Sequence, residues 1–394
     1  MRRAAVIVIG AGPAGCAAAT VLAEAGHDVL LVDRPAGSRR ALAESIPPSA
    51  KRLLVELGMD RAVAAAGFQP WTGNSVWWAD APPRVETFTP DATGYQVERN
   101  RFDAVLRDVA IAAGAQRLPG VVRDVDLPSV TIDANGEVAQ VTAPWVLDCS
   151  GRAGVIARKG LRMSEPSHRT VALAGIWRAT MPWPPEKEGH TLVASHADGW
   201  AWSVPVASGL RYVTLMVDPE RSHLTRGASA LDLYRAELDK VAPFAPWLEH
   251  ALLEDGPWGA DASLYGASQH AGPGFLLVGD AAAFIDPLSS FGVKKALASG
   301  WLAGVVVHTL LIAPEMQAAA LSFFEARERA IASSFRQQAA RYAVDAGEGH
   351  PFWEARASVP EGGRVFRPGE FAGPEGPASI DTALLARDPD VLSA

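Results

Sequence analysis

Gly10, Gly12 and Gly15 stand at GxGxxG spacing, directly after the apolar run of residues 5–9. Gly10 permits a tight turn out of a buried strand, Gly12 leaves the backbone open to a pyrophosphate, and Gly15 lets a helix pack close to the sheet. Pro13 and Ala14 complete the turn. The helix that follows presents unpaired N–H groups and its positive end to phosphate oxygens. A second apolar run ends at Asp33, an acceptor for a ribose 2′-hydroxyl, with Arg34 beside it. Strand, glycine turn, helix, second strand and terminal acid occur in the order that a dinucleotide site requires. A glycine-rich turn in another α/β fold is the plainer alternative.

Further along the chain other groups have chemistry to offer. Glu44 and Ser45 lie in Ala43-Glu44-Ser45-Ile46-Pro47-Pro48, where helix capping is the plainer role. Glu98-Arg99-Asn100-Arg101-Phe102-Asp103 opens a helix, and Asp148-Cys149-Ser150-Gly151 ends a strand. Gly279-Asp280 follows another strand, and the loop Asp286-Pro287-Leu288-Ser289-Ser290-Phe291-Gly292 leads into a helix from Val293. A helix starting after Gly292 would aim N–H groups at a ligand in front of the loop. His196, Asp198 and Asp286 are general-base candidates by neighbourhood alone, with loop hydrogen bonding the plainer role; Lys294 and Lys295 could place positive charge near a ligand in front of the loop, with a helix surface the plainer home.

The elements that must position these groups divide in two. Residues 1–75, 96–164 and 270–345 read as one discontinuous α/β unit, with buried strands alternating with helices. Residues 76–95 and 165–269 carry alternating β-branched and aromatic runs at 170–180, 190–195, 199–206 and 211–218, as in a mainly antiparallel sheet; one helix is expected near 228–240. Residues 346–394, rich in Pro, Gly and charge, read as a surface tail or a cover over the seam.

Composition narrows the partners. The 394 residues carry a net charge of −8 and no lysine/arginine run, which argues against nucleic acid or an anionic membrane as the main partner. The longest apolar stretch, near residues 301–313, is short for a bilayer span. Two cysteines give neither a disulfide framework nor a zinc site, so a reducing cytoplasm is the expectation. Arg2 and Arg3 before an apolar stretch, and Gly15-Cys16, superficially suggest export, but Gly10, Gly12 and Pro13 break that stretch.

The ordered set GxGxxG with its acid, Asp148-x-Ser150-Gly151 and Gly279-Asp280 resembles the FAD-binding fold of the para-hydroxybenzoate hydroxylase class, over about residues 3–345. The resemblance implies FAD, with Asp280 at the ribitol, Arg99 at the pyrophosphate, and the loop before Gly292 and Val293 beside the flavin ring. Gly199-Trp200-Ala201-Trp202-Ser203-Val204-Pro205 looks like the Trp-x-Trp-x-x-Pro signature of flavin-dependent halogenases, and Glu44-Ser45 with Pro47 looks like the same branch. Trp200 and Trp202 would then form a wall between small molecules and the flavin; two core residues on one strand face are the plainer reading.

The departures from that branch direct the functional expectation. Halogenases carry a lysine in a stretch like Gly-Phe-x-x-Lys-x-Gly; here Gly67-Phe68-Gln69-Pro70-Trp71-Thr72-Gly73 has Trp71 in its place. Tryptophan halogenases place a glutamate after Pro-Leu; here Pro287-Leu288 is followed by Ser289, and Phe291 is expected to crowd the halide position. The resemblance with these changes implies an FAD-dependent monooxygenase. It would hydroxylate an electron-rich aromatic of indole, tryptophan or phenol type through a flavin C4a-hydroperoxide. Its pocket would include Pro287, Ser289, Phe291 and Trp71. Its needs would be O2 and electrons from NAD(P)H or from reduced flavin delivered by a separate flavin reductase. The substrate is either a small aromatic or a peptidyl tryptophan of a client protein, as in tryptophylquinone maturation. A halogenase with another lysine, and an FAD-dependent reductase or non-catalytic docking partner, are the alternatives.

Overall fold

The structure is a computed structural model that describes residues 2–35, 42–165, 169–184, 187–207, 209–222, 229–347 and 349–357. Most of the C-terminal tail, and residues 36–41 of the arginine-containing loop, lie outside the described residues.

Residues with branched apolar side chains form the central sheet because both of its faces are covered. Across the sheet the strands run Ala271–Gly272, Phe275–Leu277, Trp145–Asp148, Val6–Ile9, Val29–Asp33 and Gln116–Pro119. All pairs are parallel except the first. The register sets Ile9 opposite both Val32 and Asp148, and Asp148 opposite Leu277. Gly10, Asp33, Cys149 and Val278 therefore leave or end their strands at one edge, where open α/β sheets bind ligands.

Two helices cover one face. Pro13–Glu24 packs on Gly292–Ile312, with Ala14 against Gly300 and Val21 against Gly304. The contacts advance in the same direction along both helices, so their N-termini share one end. A Cβ on Gly300 would lie 2.1 Å from the Ala14 carbonyl oxygen, and one on Gly304 would lie 2.8 Å from Val21 Cβ. The 21-residue helix Gly292–Ile312 is long and apolar enough to cross a membrane by length and composition, longer than the sequence suggests. Most of it is buried here, between the first helix and Gln317–Ala346.

The second large sheet has seven strands, in the order Ala251–Asp261, Val171–Ala179, Leu210–Val217, Gly199–Ala207, His190–His196, Gly73–Trp77 and Arg84–Thr87. Its pairs are antiparallel apart from His190–His196 with Gly73–Trp77. The edge strand Ala251–Asp261 escaped the sequence reading because Gly256-Pro257 interrupts its alternation, which an edge strand tolerates. Three strands, Ala43–Ile46, Gly94–Glu98 and Gln69–Trp71, form a small sheet that packs against Gly199–Ala207 of the seven-stranded one. Glu44 and Ser45 thus belong to a strand and cap no helix.

The chain then crosses back. Helix Pro351–Ala357 buries Phe352 and Trp353 among Trp200, Met216 and Ala343, and Trp353 Nε1 donates to the His196 carbonyl. Arg356 donates to the Arg169 carbonyl and to Thr170 Oγ1. This part of the tail is a packed cover.

Two outcomes follow from this packing. Gly300→Ala should destabilise the protein by about 1–3 kcal/mol, because its methyl group meets rigid backbone; thermal unfolding reads the loss. Burial and the nearby Lys240 ammonium lower His196 to about 4, well below its ordinary 6.5. The unfolded chain then takes up a proton that the folded chain refuses, so stability should decline as pH falls from about 6.5 towards 4, with no such contribution above that range. Denaturant titrations across this range should show a shallower decline in His196→Asn.

Candidate cofactor cleft and the adjoining loop

A cleft of about 490 Å³ opens at the carboxyl edge of the central sheet. Gly10 holds φ +104°, and a Cβ there would lie 2.5 Å from the Cys149 carbonyl oxygen. Gly15 stands one layer behind; its Cβ would sit 1.8 Å from the Gly10 carbonyl oxygen. In front of Gly12 the nearest groups are Asp103 Oδ2 and Arg99 Nη2, 3.9 and 4.0 Å from where a Cβ would be. The N-termini of the two packed helices, through Pro13, Ala14, Gly292 and Val293, line the same cleft.

Arg99 faces Gly12. It grips Asp103 in a bidentate pair at 3.0 and 3.1 Å and lies 3.7 Å from Glu44. Burial opposes the charge on Arg99, but Asp103 and Glu44 outweigh burial and hold it protonated. Burial raises the Glu44 carboxyl, with Arg99 pulling it back. Asp33 lines the cleft and receives Arg107 and Arg117, at 3.2 and 3.3 Å, on the single oxygen Oδ2. The second oxygen is the one that can serve a ribose hydroxyl. Arg34 lines the cleft beside it.

Asp148 is fully buried and does its work internally. Oδ1 accepts from the Ser150 N–H and hydroxyl, and Oδ2 from the N–H groups of Ile156 and Ala157. It thereby shapes the wall, while Ser150 and Gly151 reach the cleft. Gly279 similarly stands behind Asp280, packed on Ala14 and Ala296. Asp280 lines the cleft, and Lys295 Nζ approaches its Oδ1 to 3.1 Å. Lys294 and Lys295 are both buried, contrary to the expected helix surface. Lys294 donates to Ser49 Oγ, and burial lowers its ammonium to about 8.

The loop before the long helix has one face in the cleft. Pro287, Ser290 and Gly292 line it, and Ser290 adopts φ +50°, an uncommon conformation for a residue with a side chain. The backbone of Ser289 lies in the short helical turn Pro287–Ser289; its side chain lies outside what the structure describes. Behind the loop is a cavity of about 30 Å³, lined by Asp286, Leu288, Arg336, Trp353 and Arg356 among others. Leu288 joins the cluster containing Trp200, Trp202 and Trp353, where the rings of Trp200 and Trp202 stack with centroids 4.9 Å apart.

Three expected residues sit elsewhere. Phe291 does not line the cleft; its ring packs on Phe335, with centroids 5.7 Å apart. Trp71 is buried against Phe88, and its indole N–H donates to the Gly73 carbonyl. Ser45 is buried, bonded to Gln96 and Thr191. Of the base candidates, Asp198 pairs with Lys240 at 3.5 Å, His196 receives Trp353 on its carbonyl, and only Asp286 belongs to the loop. Burial raises the Asp286 carboxyl, while its bond from the Leu288 N–H opposes this.

Sequence reasoning missed Arg152 and Phe284. The Arg152 guanidinium stacks 4.3 Å from the Phe284 ring centroid, and both line the cleft. Arg152 directly follows Ser150-Gly151, the one signal that could have placed it.

The donor set fits FAD. Open backbone at Gly12, two helix N-termini and Arg99 suit a pyrophosphate; Asp33 and Asp280 suit the two polyol parts. A family model described as FAD binding domain (FAD_binding_3) matches residues 3–300. A tryptophan 2-halogenase of Chondromyces crocatus is 31% identical, over 92% of this chain and 72% of that protein. A flavin-dependent halogenase of Armillaria mellea is 29% identical over 75% of this chain, which spans only 63% of that relative. Among solved structures, the myxobacterial chondrochloren halogenase superposes with a TM-score of 0.84 at 28% identity, covering 90% of this chain and 86% of that one. The peptidyl tryptophan dihydroxylase QhpG, essential for tryptophylquinone cofactor biogenesis, superposes with a TM-score of 0.76 at 27% identity, covering 91% and 79%. The chain belongs to the FAD binding domain family, in the halogenase-like branch of the FAD-dependent oxidoreductases.

Proposed function

We propose that this chain oxidises an electron-rich aromatic ring, with reduced FAD and O2, and that it delivers oxygen to the ring. Bound FAD supplies the redox chemistry, activating O2 once reduced. The residues do the rest. Arg99, backed by Asp103 and Glu44, holds the pyrophosphate against Gly12. Asp33 and Asp280 orient the two ends of the cofactor. The two helix N-termini direct positive potential at the cleft. Trp200, Trp202 and Leu288 form an apolar barrier behind the dividing loop, which keeps water from the reacting ring. Asp286, which lines the small cavity behind that loop, is the carboxylate we assign to take the ring proton.

The observation that carries oxygen transfer is Trp71. The halogenase-like stretch has no amine at that position, and the indole is locked in place by Gly73 and Phe88. Among the described residues, the cleft lining contains no lysine to replace it. The reading of the substrate as a tryptophan side chain, free or within a client protein, draws on the likeness to QhpG and to the tryptophan 2-halogenase. We further infer that a separate flavin reductase or NAD(P)H supplies the electrons, and that the protein works in the cytoplasm.

Halogenation is the second reading, and the curated relatives favour it. One feature of this chain supports it as well: Lys294 is a buried amine two residues into the helix that begins at the cleft, lowered to about 8 and so partly neutral near neutral pH.

The test is product mass from reduced FAD, O2 and tryptophan or a tryptophan peptide, with and without chloride or bromide. A gain of oxygen that ignores halide supports the reading. Halogen in the product, abolished in Lys294→Met, would replace it with the second. Separately, Arg99→Ala should weaken FAD roughly thirtyfold, or about 2 kcal/mol, by quenching of flavin fluorescence, because it removes a charged donor and leaves Asp103 unmatched.

A further inference from the structure

Lys295 is only 5% exposed, one turn into the helix Gly292–Ile312. A buried ammonium is costly unless matched by charge and by hydrogen bonds. Both are present. Lys295 Nζ donates to the Ala283 carbonyl and lies 3.1 Å from Asp280 Oδ1. The second contact is an attraction of charges rather than an aligned hydrogen bond. Asp280 keeps 31% of its side chain exposed and lines the cleft, so the pair joins a wall residue to a cation hidden behind it.

A second layer braces the first. Burial on helix Gln317–Ala346 raises the Glu328 carboxyl, against the opposing charge of His270, a hydrogen bond with Ser299 and the charge of Lys295. Ser299 Oγ in turn accepts from the Gly279 N–H at 2.9 Å. The Gly279-Asp280 turn is therefore gripped at its backbone by Ser299 and at its carboxylate by Lys295, and Glu328 interacts with both. His270 also faces Glu328, and it is held by Glu325 at 3.1 Å. Glu328 lies beyond residues 3–300, the part matched by the family model.

We propose that Lys295 is a positioning residue for the cofactor: it fixes the Asp280 carboxylate for polyol hydroxyls and supplies positive charge that favours the electron-rich, reduced flavin. The inference rests on FAD in the cleft and is indifferent to whether oxygen or halogen is transferred. A lysine serving only to fill space would leave the flavin potential alone; a cation beside Asp280 would not. Without it, the Asp280 charge stands unbalanced next to the cofactor and works against reduction.

The experiment measures FAD affinity by fluorescence and midpoint potential by dye equilibration, on the full chain. Lys295→Met should weaken oxidised FAD about tenfold and reduced FAD about a further tenfold, a fall in potential of about 30 mV. Lys295→Arg, which keeps the charge, should restore the potential. In an Asp280→Asn background the loss on Lys295→Met should shrink to within about threefold, the sign that the two residues act as a unit. Folded Lys295→Met with unchanged affinity and potential would overturn the proposal. If that variant does not fold, Lys295→Gln keeps a donor for the Ala283 carbonyl, removes the charge, and is judged by the same two readings. Failure of the unmodified chain to bind FAD at all would sink the cofactor reading beneath it, a result distinct from a failure confined to the Lys295 variants.

Discussion

Everything at the cleft depends on how closely two helices approach. Pro13–Glu24 and Gly292–Ile312 are far apart in sequence, yet they meet backbone to backbone where Gly300 faces the Ala14 carbonyl. Any larger residue at 300 would push them apart. That contact, repeated at Gly304 and Val21, brings both N-termini to the edge where the central strands end. Neither helix end has a side chain to cap it, so its N–H groups are left for a ligand. One geometric constraint thus creates both the volume of the cleft and the positive potential in it.

The wall is built in two layers, and the division of labour is physical. Several groups that face the cleft are held from behind, among them Arg99, Asp33, Asp280 and Ser150. Asp103 holds Arg99, Arg107 and Arg117 hold Asp33, Lys295 holds Asp280, and Asp148 holds the Ser150 turn. A lone charge in such a site would swing or change its protonation; a paired one is oriented before the ligand arrives, which lowers the ordering cost of binding.

Much of this front layer was legible in the sequence, because its signals are local. Gly10, Gly12, Gly15 and Asp33 sit within one strand–helix–strand unit whose spacing follows from backbone geometry alone. The Gly-Asp pair and the Asp-x-Ser-Gly turn are equally local. The contacts that join residues far apart in the chain were not legible: Arg107 and Arg117 with Asp33 and Lys295 with Asp280 behind the wall, and Arg152 with Phe284 on it. Lys294 and Lys295 read as surface residues because lysine usually is one, and tertiary packing overrode that preference. Phe291 was expected in the pocket by position in a motif; its ring instead packs on Phe335, a residue of a helix that no motif tied to the loop.

The loop between Asp286 and Gly292 is where these layers acquire a direction. Pro287 and Ser290 face the cofactor cleft, whereas Asp286 and Leu288 face the small cavity and the tryptophan cluster behind it. Alternate residues of one short turn therefore look into two environments, one polar and charged, the other apolar. Ser290 bears a left-handed conformation to make the turn that tight. Helix Pro351–Ala357 closes the far side, with Trp353 in the cavity wall and Arg356 tied to the strand-end residues Arg169 and Thr170. Trp353 thus lines the apolar side of the loop from the cover helix, so the walls of that side are set by the far end of the described chain and not by the glycine motif.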